Sequence, residues 1–222
     1  MRRFDLEHGL IVAIALLVSS DLVMASRFGP IPGVTGSTAS NGNNCTICHS
    51  GATGGLGSVQ ILGAPAMYQF DQLYNLTVRI SDPVQVGAGF QLSVEDVAGT
   101  HVGTLIASDA VNTQLNGGDD NFINHTDTGV DNSVANWNGF AEYNLGWQSP
   151  ASDVGPITFW AAGNAINNNS INTGDRIYTT STTAGPGFPV PAVSTGGLLG
   201  FAFLNVTIGA ILLRRRENRV RS

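Results

Sequence analysis

Along Tyr74-Asn75-Leu76-Thr77-Val78-Arg79-Ile80 the chain alternates, with Tyr74, Leu76, Val78 and Ile80 on one face and Asn75, Thr77 and Arg79 on the other. A period of two is that of a β-strand with one face buried. The alternation returns where Phe90, Leu92 and Val94 interleave with Gln91, Ser93 and Glu95. It returns again where Ile157, Phe159 and Ala161 interleave with Thr158, Trp160 and Ala162. Shorter candidates are residues 59–62, 103–107, 121–125, 136–145 and 176–180. Turn signals separate them at Ser81-Asp82-Pro83, Asn116-Gly117-Gly118-Asp119-Asp120 and Asn172-Thr173-Gly174-Asp175. Seven or eight short strands without an amphipathic helix predict an all-β domain, an antiparallel β-sandwich over residues 58–182.

The two ends follow other patterns. Arg2 and Arg3, the apolar stretch Leu10 to Val18 and Val23-Met24-Ala25 predict a signal peptide over residues 1–25, with an uncleaved anchor helix as the competing reading. After a Pro/Gly-rich linker at 183–195, residues 196–213 are apolar except for Asn205 and Thr207, and Arg214-Arg215-Arg216 follow at once. At ~1.5 Å per residue a helix there rises about 27 Å, close to the thickness of a bilayer core. This predicts a transmembrane helix, a basic cytoplasmic tail at 214–222 and a β-domain outside, periplasmic or extracellular. The partner of the C-terminal helix is then the membrane.

Charge narrows the partners. The chain of 222 residues has no lysine and a net charge of −6. Between Ser26 and Pro189 three arginines face twelve carboxylates, a net −9. Nothing in that region would neutralise phosphates, which argues against nucleic acid. Asp119 and Asp120, with Asp127 and Asp131 downstream, invite comparison with a Ca²⁺ loop. No EF-hand spacing is present, and solvated acidic turns are the simpler reading. No nucleophile elbow, zinc-protease helix or phosphate loop appears, so no enzymatic activity is expected.

Residues 26–57 are rich in Gly, Pro, Ser, Thr and Asn and form a flexible arm in this reading. The arm carries both cysteines of the chain, in Cys45-Thr46-Ile47-Cys48-His49. Two thiols at this spacing followed by an imidazole are the pattern for covalent c-type haem, with Cys45 and Cys48 as the thioether ligands and His49 as the proximal iron ligand. A Cys45–Cys48 disulfide and a metal site with borrowed ligands remain alternatives. Export is compatible with haem attachment and with a disulfide. For the sixth iron position His125 is the first candidate, ahead of an open site, His101 or Met67.

Several segments, in order, resemble bacterial exported proteins with a choice-of-anchor V domain, a group related to Reeler domains. They are Cys45 to Gly51, Gly89-Phe90-Gln91-Leu92, Asn124-His125-Thr126, Trp147-Gln148-Ser149-Pro150 and the run from Phe159 to Asn167 that leads to Thr173-Gly174-Asp175. Tyr68 to Tyr74 keeps both tyrosines of the family's turn and lacks its Pro-Gly. The resemblance spans about residues 44–178 and implies a Reeler-like, immunoglobulin-like sandwich. The tail resembles an exosortase-type sorting signal, with Pro189-Val190-Pro191-Ala192 as its motif and a sorting protease as a candidate partner.

Two functional expectations result. In the first, an exported, membrane-anchored Reeler-like domain carries one c-type haem and exchanges electrons with a redox partner. In the second, it is a non-catalytic adhesion or matrix-interaction module with a Cys45–Cys48 disulfide. A thiol-disulfide enzyme is disfavoured, because the Cys pair lies in a Gly/Asn-rich loop.

Overall fold

The computed structural model describes residues 26–187. The expected signal peptide, the transmembrane helix, the basic tail and most of the linker lie outside the described residues. Among the described residues no helix is long and apolar enough to cross a membrane.

The described residues form eleven strands and one α-helix. In chain order they are β1 (Ser50–Thr53), β2 (Ser58–Leu62), β3 (Met67–Tyr68), β4 (Leu73–Ser81), β5 (Gly87–Asp96), β6 (Thr104–Ile106), β7 (Thr113–Asn116), β8 (Asp119–His125), α1 (Asp127–Ala135), β9 (Phe140–Gln148), β10 (Ile157–Ile166) and β11 (Thr173–Pro186). One sheet runs β1-β11-β10-β5-β8-β7 with β3 also on β11, and the other runs β2-β4-β9-β6. All pairings are antiparallel except β1 and β3 on β11, which are parallel. The expected all-β sandwich is therefore present, with these two parallel additions.

The core lies between the sheets and is built from the apolar members of each alternation. Leu76, Val78 and Ile80 of β4 and Tyr143, Leu145 and Trp147 of β9 meet Phe90, Leu92 and Val94 of β5 and Phe159 and Ala161 of β10. Full burial of such side chains contributes about 1.5–3 kcal/mol each. Trp147 has no exposed surface, and its ring meets Phe159 edge-on with centroids 5.0 Å apart.

Strand β5 departs from the expected half-buried pattern. Every residue from Gly87 to Glu95 is buried, including Gln91, Ser93 and Glu95 on the face turned away from the core. The arm covers that face and is held there by polar groups. Side-chain amides of Gln114, Asn116 and Gln91 donate to the carbonyls of Phe28 (2.5 Å), Pro30 (2.8 Å) and Ile31 (3.0 Å). Val34 N–H donates back to Gln91 Oε1 at 2.8 Å. Beyond it, Thr35 and Ser40 lie hydroxyl to hydroxyl at 2.9 Å, Thr35 reaches Ser93 at 3.2 Å, and Ala39 N–H donates to Glu95 Oε2 at 3.1 Å. Buried polar groups must be paired, and the arm and strand pair one another's.

Helix α1 was not expected. Thr126 caps it, its hydroxyl accepting from Gly129 N–H at 2.9 Å. Gly129 is required because a Cβ there would run into the Asn112 carbonyl. Asp127 and Asp131 belong to this helix and both pair with Arg27, whose Nε lies 2.9 Å from Asp127 Oδ1. These two carboxylates thus fasten the arm's first residues.

Candidate functional site

The Cys45-Thr46-Ile47-Cys48-His49 segment forms a single 3-10 turn. Asn44 opens it by accepting from Thr46 N–H at 3.0 Å, and His49 N–H closes it on the Cys45 carbonyl at 2.9 Å. The turn is laid on the outer face of β10 and β11. Cys45 packs there against Ala162 and Ile177. Asn172 Nδ2 donates to the Cys48 carbonyl at 2.8 Å, and Ser50 N–H donates to the Asn172 carbonyl, which leads the chain into β1.

His49 makes the central contact. Its Nδ1 donates to Asp175 Oδ2 at 2.6 Å, and Asp175 Oδ1 accepts from Asn167 N–H at 3.1 Å. One buried carboxylate therefore joins the turn to the loop between β10 and β11. Asn164 Nδ2 lies 3.0 and 3.2 Å from the two ring nitrogens, and its Oδ1 is buried without a partner.

Both thiols are free, and burial separates their chemistry. Desolvation pushes the Cys45 thiol up to about 12, and Cys48, less enclosed, is also raised by desolvation. Neither is an activated thiolate, which disfavours thiol-disulfide catalysis. In the reduced protein a small alkylating reagent should modify Cys48 first and leave Cys45 until the domain unfolds. Timed alkylation read by peptide mass spectrometry checks this; equal rates would show that the turn does not stay docked.

His125 ends β8 on the other side of the same region. Phe90 N–H donates to its Nδ1 at 2.9 Å, so the ring replaces a strand partner where the β5/β8 ladder stops. Burial pushes its pKa down to about 4. His49 contacts Asn164, His125 packs on Gly89, and Asn164 and Gly89 are directly paired across β10 and β5. The structure thus brings the two expected iron ligands to either side of one ladder pair. His101 stands opposite Glu95 and edge-on to Phe122, and Met67 is exposed on β3; neither hydrogen-bonds to the turn.

The donor set has the chemistry of a haem attachment site, two thiols on one turn and an imidazole backed by a carboxylate. The surroundings do not fit a porphyrin. Cys45 is packed on the sheet, and the His125 ring is itself buried, lying so close on Gly89 that a mere Cβ there would come within 2.7–3.1 Å of it. Among the described residues no group of three or more His, Cys, Asp or Glu could hold a metal ion. Asp175 and Asn164, the partners of His49, escaped sequence reasoning. Their signal was polarity on the outward face of β10 and β11, where Ala162 and Ile177 are their apolar neighbours.

No family model matches the chain, and no curated protein matches it. Among solved structures it is similar to the Reelin-N domain of F-spondin, at 16% identity over 65% of this chain and 96% of that one, with a TM-score of 0.45. The human F-spondin reeler domain (fragment 1) matches at 16% identity over 64% of this chain and 98% of that one, with a TM-score of 0.44. AvmM, described as catalysing macrocyclization in alchivemycin A biosynthesis, matches at 10% identity over 64% and 98% of the two chains, with a TM-score of 0.38.

Proposed function

We propose that this chain is an exported, membrane-held β-sandwich that serves as a non-catalytic binding module at the cell surface, with the Cys45–His49 turn acting as a clasp for its N-terminal arm. The observation that carries this reading is how the turn is spent. Cys45 is buried on Ala162 and Ile177, His49 is bound to Asp175, and the Cys48 carbonyl is taken by Asn172. Two of the three groups that would serve a cofactor here, the Cys45 side chain and the His49 ring, hold the arm to the sheet. Export and anchoring are supported by the basic and apolar segments at the two ends of the sequence.

The test is the absorption spectrum and intact mass of the full chain made in a host that attaches c-type haem. A colourless protein with the mass of the polypeptide, or two hydrogens less, is the expected result. A Soret band with the mass of one added haem would overturn the clasp and restore electron transfer as the function. In the same cells, fractionation and external protease should find the β-domain at the membrane and accessible from outside.

A further inference from the structure

A concave feature separate from the clasp turn lies between the C-terminal half of α1 and the start of β9. It is a cleft of about 270 Å³ whose polar lining comes mainly from Asn132, Asn136, Asn138 and Glu142, with the Phe140 ring beside them. This volume sits just under the ~300–1,000 Å³ of ordinary small-ligand sites.

The lining is fixed in a way that leaves particular atoms open. Asn132 Nδ2 donates to Asn112 Oδ1 at 2.8 Å, and Asn136 Nδ2 donates to the Asn132 carbonyl at 2.8 Å. Each amide is held by its nitrogen, and its oxygen has no partner within the described residues. Arg79 binds Glu142 through Oε1 alone, from Nε at 2.7 Å and Nη2 at 2.6 Å, which leaves Oε2 free. Asn138, exposed on the turn before β9, uses neither end of its amide within the described residues.

The charge pattern selects the ligand. Arg79 balances the single carboxylate of the cleft, so a divalent cation would meet one neutralised acid, where such ions ordinarily gather several. An anion would find no free cation. What the cleft offers is a set of amide and carboxylate acceptors, the remaining N–H groups of three amides and an aromatic ring, which suits a ligand with many hydroxyls and no charge. Arg79 lies over the Phe140 ring with its guanidinium carbon 4.7 Å from the centroid, which fixes the ring in place. We propose that this cleft binds a single ring of a neutral saccharide, with Asn136, Asn138 and Glu142 taking its hydroxyls. The inference deepens the surface-module reading and rests on it for where such a ligand would be met.

The test is titration calorimetry of the purified full chain in detergent with a panel of neutral oligosaccharides of glucose, galactose, mannose and N-acetylglucosamine, up to millimolar concentration. Saturable binding to at least one is expected. Asn138→Ala, which removes one hydrogen bond to the ligand, and Glu142→Gln, which exchanges a charged acceptor for a neutral one, should each weaken it about tenfold. Both positions are on the surface, and unchanged thermal melts would show that the variants remain folded. Absence of saturable binding to every sugar, binding that both variants leave within about twofold, or a response to calcium ions alone would each overturn the proposal. None of these results touches the exported-module reading, which the haem spectrum and the fractionation decide.

Discussion

Replacing Asp82 with alanine should destabilise the domain by about 3–5 kcal/mol, the usual cost of removing one partner from a buried ionic group. Asp82 is fully buried at the end of β4, and its two oxygens serve four donors. Oδ1 accepts from Val84 N–H at 2.8 Å and Gln85 N–H at 3.0 Å, Oδ2 accepts from the Tyr178 hydroxyl at 2.5 Å, and Arg176 Nη1 lies 3.3 Å from both. Arg176 and Tyr178 belong to β11, so this carboxylate ties one sheet to the other. Alanine would leave a hydroxyl, a guanidinium and two N–H groups unmatched. For a domain of this size the melting temperature should drop by about 6–20 °C. A loss below about 1 kcal/mol in chemical denaturation would mean that the sheets are held without this tie.

Stability should also decline as the pH falls from 6.5 to about 4, the window between the ordinary and the folded pKa of His125. Desolvation is the main cause of the depression, and His49 adds to it. The backbone groups of Phe90 and Ser26 and the carboxylate of Asp127 oppose it. A depressed folded pKa means that the unfolded chain takes up the proton first. The contribution is thus whole above pH 6.5 and lost as the pH drops through the folded value. Its size is about 3 kcal/mol at most. His125→Gln keeps an acceptor for Phe90 N–H and removes the titration, so its melting temperature should stay nearly flat across this window. An equal slope in the variant would assign the effect elsewhere. Asp82 acts lower on the scale. Burial pushes its carboxyl up, but Tyr178, the two N–H groups and Arg176 outweigh burial and hold it below the usual range. Its contribution is present above the ordinary carboxylate pKa and is lost as the pH falls through the folded value.

The parts of the fold that were legible are those whose side chains sort by hydropathy. Leu76, Val78 and Ile80, then Phe90, Leu92 and Val94, announce the two inner faces because a strand exposes every second residue to the same surroundings. The arm had no such signature, since Thr35, Ser37, Ser40 and the backbone of Val34 are buried by hydrogen bonding and carry little hydrophobic signal. Helix α1 was hidden for a related reason. Its nine residues contain Val130 and Val134 but also Gly129, and its start is set by Thr126 acting on a single N–H. The Cys45–His49 motif could be read as a pattern, but its use depends on Asp175 and Asn164, more than a hundred residues away in sequence. Spacing within the pentapeptide cannot report what the turn is pressed against.

Strand β11 gives the domain a mechanical axis. It starts at Thr173 beside the clasp and ends at Pro186, where Gly185 and Pro186 pair with Met67 and Tyr68. From Asp175 to Gly187 the chain advances about 40 Å at ~3.3 Å per residue. The cleft proposed for a saccharide lies beside Gly139, whose carbonyl accepts from Asp82 N–H at 3.0 Å, and Asp82 in turn binds Arg176 near the start of β11. A load between a sugar held there and the chain leaving at Gly187 would run along the strands. The nine residue pairs from Ile157–Ala184 to Ala165–Arg176 would carry it together in shear and could not be peeled apart one at a time. A tether attached at that exit would pull on the domain in its stiffest direction.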